Sequence, residues 1–375
     1  MTEPEGNEAP VSGQRPPLYP EGEGEAIPVL GARLREEIAT SGPISFARFM
    51  AEALYAADGG YYSAPGRMIG RAGDFFTSVS AGPVFGELLA HHVAAVAPLG
   101  DFRIVEIGAH HGTLAADLLT ALHRDFPETA ARARYTILEP LPTLAAVQGR
   151  NLAAWQVDIR EQIGEIPPGD GILIANELID ALPCQVLESD GTGWQEIGVG
   201  LGAEGDFQWQ ALGPAENLAA GLPMREAGYR TEVRPDLRAF LAPLVERVSR
   251  MLFIDYGFER EEFLDPARRD GTLRTYLKHQ AGEDALLEPG SRDITAHVDF
   301  SSLREDIRGL GGEIVRFENQ SRFLTALARQ ILLEKEGRID EATRRWVRNF
   351  QTLTHPGQLG AKFHVMEAHF PARRI

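Results

Sequence analysis

The chain is poor in cysteine, in lysine and in long apolar runs, and each shortage excludes something. Cys184 is the only cysteine among 375 residues. An intramolecular disulfide and a cysteine-based metal site are therefore excluded, and a reducing cytoplasm is the compartment expected. Lys278, Lys335 and Lys362 are the only lysines, so arginine carries nearly all the positive charge. With 54 acidic residues against 37 basic ones, the formal net charge is −17. That balance argues against a nucleic-acid surface, because phosphate binding needs a basic face. No apolar run reaches the length that crosses a membrane. Residues 1–27 are acidic and proline-rich, without the apolar core of a signal peptide and with acids that a mitochondrial transit peptide avoids. They read as a disordered tail. The phosphate loop of a P-loop enzyme is also missing.

What is present is a hydrophobic fraction of 43%, enough for a sizeable core. The organising stretch is Arg103 to Leu119, RIVEIGAHHGTLAADLL. It reads as a buried strand, a turn holding Gly108 and Gly112, and an amphipathic helix, the opening unit of a nucleotide-binding α/β sheet. Glu106 ends that strand, Glu139 ends the next (YTILEP), and Asn176-Glu177 ends the one after (GILIANE). Ligands of open α/β sheets bind outside the carboxyl ends of the strands, so these three ends form one rim.

The turn approximates that of S-adenosylmethionine (SAM) enzymes, in which glycines let a cofactor approach bare backbone. Glu106 can meet a cationic group, and Glu139 can accept from both hydroxyls of a ribose. The plainer reading of Glu139 is an exposed acid at a strand end. A dinucleotide pyrophosphate would be crowded by His110, which stands where such a turn has its middle glycine. A metal on His110-His111 is discounted, because adjacent side chains diverge and no third ligand follows nearby. His91-His92 read as helix residues.

Elsewhere the periodicity predicts helices over 28–39 and 45–55, the second with Ser45 as N-cap. A segment rich in Gly, Tyr and Arg follows, carrying Tyr61, Tyr62, Arg67, Arg71, Asp74 and Thr77. A ligand lid and a packed Ω-loop both satisfy that composition. Further helices are expected over 85–96, 142–153, 235–250 and 321–350, with strands over 155–159, 171–175, 251–257, 313–319 and 364–370. Alternating segments from Gln185 onward read as an antiparallel meander inserted into the sheet, and 213–235 as a Pro/Gly-rich link. Residues 258–270, acidic and Arg-rich, read as solvated surface. The expected division is a helical cap with its Gly/Tyr loop over 28–100, then an α/β domain over 101–375 with insertions at about 185–250 and 258–350.

Taken in order, the blocks SFARFMAEALY…GGYYS, GRAGDFFTS, FGELLA, IANELIDALP, FIDYG, GTLRTY, DITAHVDFSSL and GQLGAKFHV resemble the MidA-like SAM-dependent methyltransferases. That family includes a mitochondrial factor that assembles respiratory complex I by methylating an arginine. IANELIDALP is the most specific match. The resemblance implies a Rossmann-like class I methyltransferase sheet with an N-terminal helical cap, and SAM as cofactor. It implies methylation of arginine in a protein substrate, a respiratory complex I subunit among the candidates.

Carried over position by position, Asp74, Thr77, Glu106, Gly108, Gly112, Glu139 and Asn176 would hold SAM. Glu177 and Asp180 would orient and deprotonate the acceptor, with His297 and Asp299 as second-rank candidates. Asp180 as a helix cap, and Glu177 as partner of a loop arginine, are the plainer readings of those acids. Tyr61 and Tyr62 would shape an acceptor channel or simply pack. The helix at FGELLAHHVAAVA and the 321–350 helix are candidate homodimer faces.

Two positions depart from the family pattern. His110 occupies a turn that is glycine-rich in the family, so its side chain either enters the cofactor's methionine end or bends away. Ser80 stands where the family has an acid. With those departures, a non-catalytic binding or assembly protein on the same fold is the alternative, and a small-molecule methyltransferase is a third reading.

Overall fold

The computed structural model describes residues 28–63, 77–277, 280–282 and 284–371. The expected tail over 1–27 and the glycine-rich stretch with Asp74, Arg67 and Arg71 lie outside the described residues. The elements used below are α1 (Pro28–Ser41), α2 (Phe46–Tyr55), α3 (Val84–Val96), β1 (Phe102–Ile107), α4 (Thr113–Asp125), β2 (Ala133–Leu138), α5 (Pro142–Asn151), β3 (Val157–Arg160) and β4 (Gly171–Asn176). After them come β5 (Arg250–Phe258), α6 (Phe300–Gly309), β6 (Glu313–Asn319), α7 (Gln320–Lys335), α8 (Glu341–Thr354) and β7 (Phe363–His369).

The central sheet runs β6-β7-β5-β4-β1-β2-β3, with the short strand Val298–Asp299 beside the end of β5. Pairings among β3, β2, β1, β4 and β5 are parallel, and β7 is antiparallel to both β5 and β6. β4 is buried along its whole length, as a central parallel strand covered on both faces must be. One face packs Phe85, Leu88 and Leu89 of α3 with Leu118 and Leu122 of α4 and Phe323 and Leu324 of α7. The other packs Leu237, Leu241, Leu244, Phe300, Leu303 and Ile307. The strand order reverses between β1 and β4, which is where such sheets open a crevice.

The meander forms a sheet of its own rather than extending the central one. It pairs Gln185–Ser189, Trp194–Leu201 and Phe207–Pro214, all antiparallel, and adds Arg230–Val233 and Ile44–Ser45. The expected link over 213–235 therefore contains a strand. α1 and α2 close one face of this sheet: Leu34, Phe46, Phe49 and Met50 share a core with Val186, Ile197 and Val199. Ser45 caps α2 by accepting from the Arg48 amide. A third, three-stranded sheet (Arg274–Leu277, Gln280–Gly282, Asp293–Thr295) lies against the same core through Ile294.

Two further expectations are corrected. The helix over 235–250 is confined to Leu237–Leu241 and a 3-10 turn at Ala242–Leu244, because Pro243 removes a helical donor. Residues 258–270 are not all solvated, since Phe263 and Leu264 are buried with Trp194 and Tyr229. α3, one of the candidate dimer faces, buries Phe85, Leu88, Leu89 and Val93 in the core it shares with α4 and α7, while Ala95 near its end is exposed. Its close approach to α4 depends on Gly86, where an added Cβ would lie 2.6 Å from Asp117 Cβ and 2.9 Å from Leu118 N. Replacing Gly86 by Ala is expected to destabilise the protein by about 1–3 kcal/mol through overpacking, despite the helix propensity of alanine. A chemical-denaturation midpoint equal to wild type would show that the two helices separate freely.

Candidate active site

Outside the carboxyl ends of β1, β2 and β4 lies a cavity of about 570 Å³, within the range of small-molecule sites. Glu106, Gly108, Glu139, Asn176, Glu177, Asp180 and Thr77 all line it. Register explains the convergence, because Glu106 pairs with Ile137 on β2 and Ile174 on β4, which levels the three strand ends.

Glu106 is buried and accepts a 2.7 Å hydrogen bond from the Tyr135 hydroxyl. Burial raises its pKa to about 7, which the tyrosine bond only partly offsets. Glu139 is raised by burial as well; it accepts from the Leu141 amide (3.0 Å) and from Gln148 Nε2 (2.8 Å). Each oxygen of a carboxylate has two acceptor sites, so both remain able to take a further donor.

The turn after β1 is held from outside. Gln148 and Asn151 of α5 donate to the carbonyls of His110 (2.8 Å) and His111 (2.9 Å). His110 adopts a left-handed φ of 47°, and its ring lies 3.9 Å from that of His111. Burial, then the neighbouring imidazole, holds His110 well below the usual histidine range, so it is neutral at pH 7. His110 itself lines the cavity, beside Gly108 and Ala109. Gly108 brings bare backbone to the cavity at φ 79°. Gly112 plays a different part: its left-handed φ starts α4, and an added Cβ would lie 2.9 Å from Leu152 Cδ1, away from the cavity lining.

At the end of β4 the backbone turns through Glu177, a non-glycine residue at φ 52°. Such a conformation persists only where the surroundings fix it. The Glu177 amide donates to Ile254 O (2.8 Å), and Asp255 accepts from the amides of Ile179 (2.9 Å) and Asp180 (3.3 Å). Arg234 ties the same loop from the other side. Its guanidinium donates to the carbonyls of Asp180, Leu182, Ala296 and His297.

Glu177 Oε1 accepts from Asn176 Nδ2 (3.1 Å) and the Ser78 amide (3.3 Å). Burial, reinforced by the nearby Asp180 charge, lifts Glu177 to about 8. Burial also raises Asp180, against the pull of the Tyr256 hydroxyl and Arg234. Asn176 Oδ1 and Asp180 Oδ1 are buried oxygens with no hydrogen-bond partner inside the protein, a state that a ligand donor would relieve.

Thr77 and Ser80 bond reciprocally. Thr77 N donates to Ser80 Oγ (3.0 Å), Ser80 N to Thr77 Oγ1 (3.2 Å), and Ser80 Oγ to Thr77 O (2.7 Å). Ser80 thus shapes the turn that carries Val79 at the cavity. Ser78 Oγ donates to Gln320 Oε1 (3.1 Å), and Gln320 Nε2 to Leu353 O (3.0 Å), so α7 and α8 steady this segment.

His297 and Asp299 do not join the cavity lining. His297 packs edge-on against Tyr256 and Phe258, and burial with nearby arginines lowers it to about 4. Asp299 caps α6 through the amides of Ser301 and Ser302 and pairs with Arg260 at 3.0 Å. Tyr61 is fully buried core, whereas Tyr62 lines the cavity. Sequence reasoning missed Asp255, Gln148, Arg234, Gln320, Tyr55 and Asp293. Only Asp255 carried a signal, as the acid at the end of an apolar strand; the others act through partners distant in sequence.

The donor set fits SAM. Buried acids at two adjacent strand ends suit an ammonium and a ribose diol, and Leu138, Leu144, Ile163 and Phe240 give the lining an apolar stretch for a flat base.

The family described as "Putative S-adenosyl-L-methionine-dependent methyltransferase" matches residues 84–315. The mitochondrial protein arginine methyltransferase NDUFAF7 of Mus musculus is 27% identical over 380 residues, covering 91% of this chain and 84% of that protein. The Homo sapiens protein of the same name is 26% identical and covers 91% and 83%. A crystal structure of a superfamily member from Burkholderia thailandensis, bound to S-adenosyl-homocysteine, superposes with a TM-score of 0.81 at 31% identity, covering 91% of this chain and 92% of that one.

Glu106 sets a pH dependence. Its folded pKa of about 7 exceeds the ordinary 4.5, so the folded state binds the extra proton between those values. Stability falls as pH rises through that window. Glu106→Gln keeps an acceptor for Tyr135 and removes the buried charge. It is expected to raise the melting temperature of the ligand-free protein at pH 8 and to change it little at pH 5. Parallel pH profiles for the two proteins would show that Glu106 ionises freely.

Proposed function

The chain belongs to this family of S-adenosyl-L-methionine-dependent methyltransferases, and from that premise we propose that it methylates an arginine side chain of a protein. The observation that carries the reading is the pair Glu177 and Asp180, set in the same cavity as the strand-end rim. A guanidinium stays charged at neutral pH, so its orientation and loss of a proton require acids beside it. The name of the mouse relative, a protein arginine methyltransferase, points the same way. The acceptor protein is of the kind the resemblance implies, a respiratory complex I subunit among the candidates.

In this reading Glu106 would meet the ammonium of the cofactor, Glu139 would take its ribose hydroxyls, and Gly108 would offer bare backbone to it. Thr77 and Asn176 close the rim. When bound, SAM supplies a methyl group from its sulfonium and leaves as S-adenosylhomocysteine, while one acceptor nitrogen gains the C–N bond and sheds one proton. Glu177 takes that proton; a pKa of about 8 makes the ionised form a capable base near neutral pH. Asp180, whose Oδ1 has no partner inside the protein, would hold and orient the guanidinium. Positioning supplies most of the acceleration expected for such a displacement.

Glu139→Ala is expected to weaken S-adenosylhomocysteine binding about tenfold or more in calorimetry, the loss of charge-assisted hydrogen bonds. Glu177→Gln is expected to lower kcat by about 10²-fold or more with cofactor affinity retained. In wild type the rate should climb as pH rises through about 8. Transfer of labelled methyl from SAM into acceptor proteins, followed by mass spectrometry, tests the reading. Label on residues other than arginine, or full activity of the Glu177 variant, would overturn it.

A further inference from the structure

The cavity extends beyond the cofactor rim to a wall that the central sheet does not provide. Tyr55, at the end of α2, and Tyr62 line it there, next to Asp180, Asp293 and Thr295. The two rings are stacked, with centroids 5.4 Å apart and planes inclined by 24°. Both are fixed through their hydroxyls. Tyr55 donates to Ala181 O (2.8 Å), in the loop that carries Asp180, and Tyr62 donates to Asp293 Oδ1 (2.9 Å), in the three-stranded sheet. The wall is therefore assembled from three separate parts of the chain, each pinned to the next.

We propose that the stacked Tyr55–Tyr62 pair and Asp180 form the acceptor slot, a cation-selective sleeve that admits a guanidinium on a slender aliphatic stem, with Tyr62 as the residue that sets specificity. The inference rests on the arginine reading above. Three observations support it. Aromatic faces attract a cation and pack against its methylenes. Asp180 is 4% exposed, and its Oδ1 has no hydrogen-bond partner within the protein, so a donor from the acceptor would satisfy it. Arg234, the cation tied to the Asp180 loop, has its guanidinium engaged by four carbonyls and so leaves Asp180 without a charge-assisted hydrogen bond. Asp293 serves here as a positioning residue that holds the Tyr62 hydroxyl.

The test is calorimetry on the S-adenosylhomocysteine-loaded protein, with two blocked peptides as probes: acetyl-Gly-Arg-Gly-amide and its citrulline counterpart, which has nearly the same shape without the charge. Wild type is expected to bind the arginine peptide at least tenfold more tightly than the citrulline peptide. Tyr62→Ala should lose arginine-peptide binding by tenfold or more with unchanged affinity for S-adenosylhomocysteine, which also reports that the variant is folded. Tyr62→Phe keeps the ring and should retain most of the binding. Equal arginine-peptide binding by wild type and Tyr62→Ala would overturn the slot and leave the arginine reading standing. Equal binding of the two peptides would overturn cation selection. Binding of neither peptide by a protein that binds S-adenosylhomocysteine would overturn the slot and the arginine reading together.

Discussion

The grip of Asp255 on the loop after β4 is the constraint that the site depends on. One carboxylate accepts from the amides of Ile179 and Asp180, and its other oxygen accepts from the Tyr256 amide. That grip holds the chain in a turn whose first residue, Glu177, is left-handed without being glycine. Burial and the charges of Asp180 and Glu177 push Asp255 well above the usual carboxylate range. Three acids are thus packed where water is scarce: the Asp180 charge raises Glu177, and the charges of both raise Asp255. The arrangement is strained in backbone and in charge, and such strain concentrates where chemistry is done.

The rest of the architecture reads as support for that turn. Arg234 fastens it to residues 296–297 from one side. The Ser78–Gln320–Leu353 chain of hydrogen bonds braces the segment that donates to Glu177 from the other. The first turn of the sheet is stabilised in the same manner, by Gln148 and Asn151 acting on the carbonyls of His110 and His111. A turn held by side chains of a neighbouring helix does not need glycine at every position. At 110 a histidine takes the left-handed conformation with its carbonyl held by Gln148. Likewise, Ser80 holds its segment by closing a reciprocal hydrogen-bond pair with Thr77.

Much of this was legible in the sequence. The strand–turn–helix of residues 103–119, the acids at three strand ends and the apolar run of β4 located the rim, because period and strand-end chemistry are local signals. The caps and helices of the N-terminal region were legible for the same reason. The meander was recognised, but its independence from the central sheet was not, since alternation fixes a strand's faces and not its partner. His297 and Asp299 sat in a conspicuous motif, yet one packs among aromatic rings and the other caps a helix. A motif marks residues that matter to a fold without stating which of them face the cavity.

The sequence by itself determined the fold class, the rim at the carboxyl ends of β1, β2 and β4, and the candidate cofactor, because these follow from short-range pattern and from the order of blocks. Only the tertiary structure decided what surrounds the acids. Tyr55, Tyr62, Gln148, Arg234 and Gln320 reach the site from elements far apart in the chain, and nothing in local periodicity announces such meetings. Burial, which sets Glu106 near 7 and Glu177 near 8, is likewise a property of packing. A carboxylate's proton affinity depends on how much water and opposite charge remain beside it, and both are fixed only when the chain has closed around it.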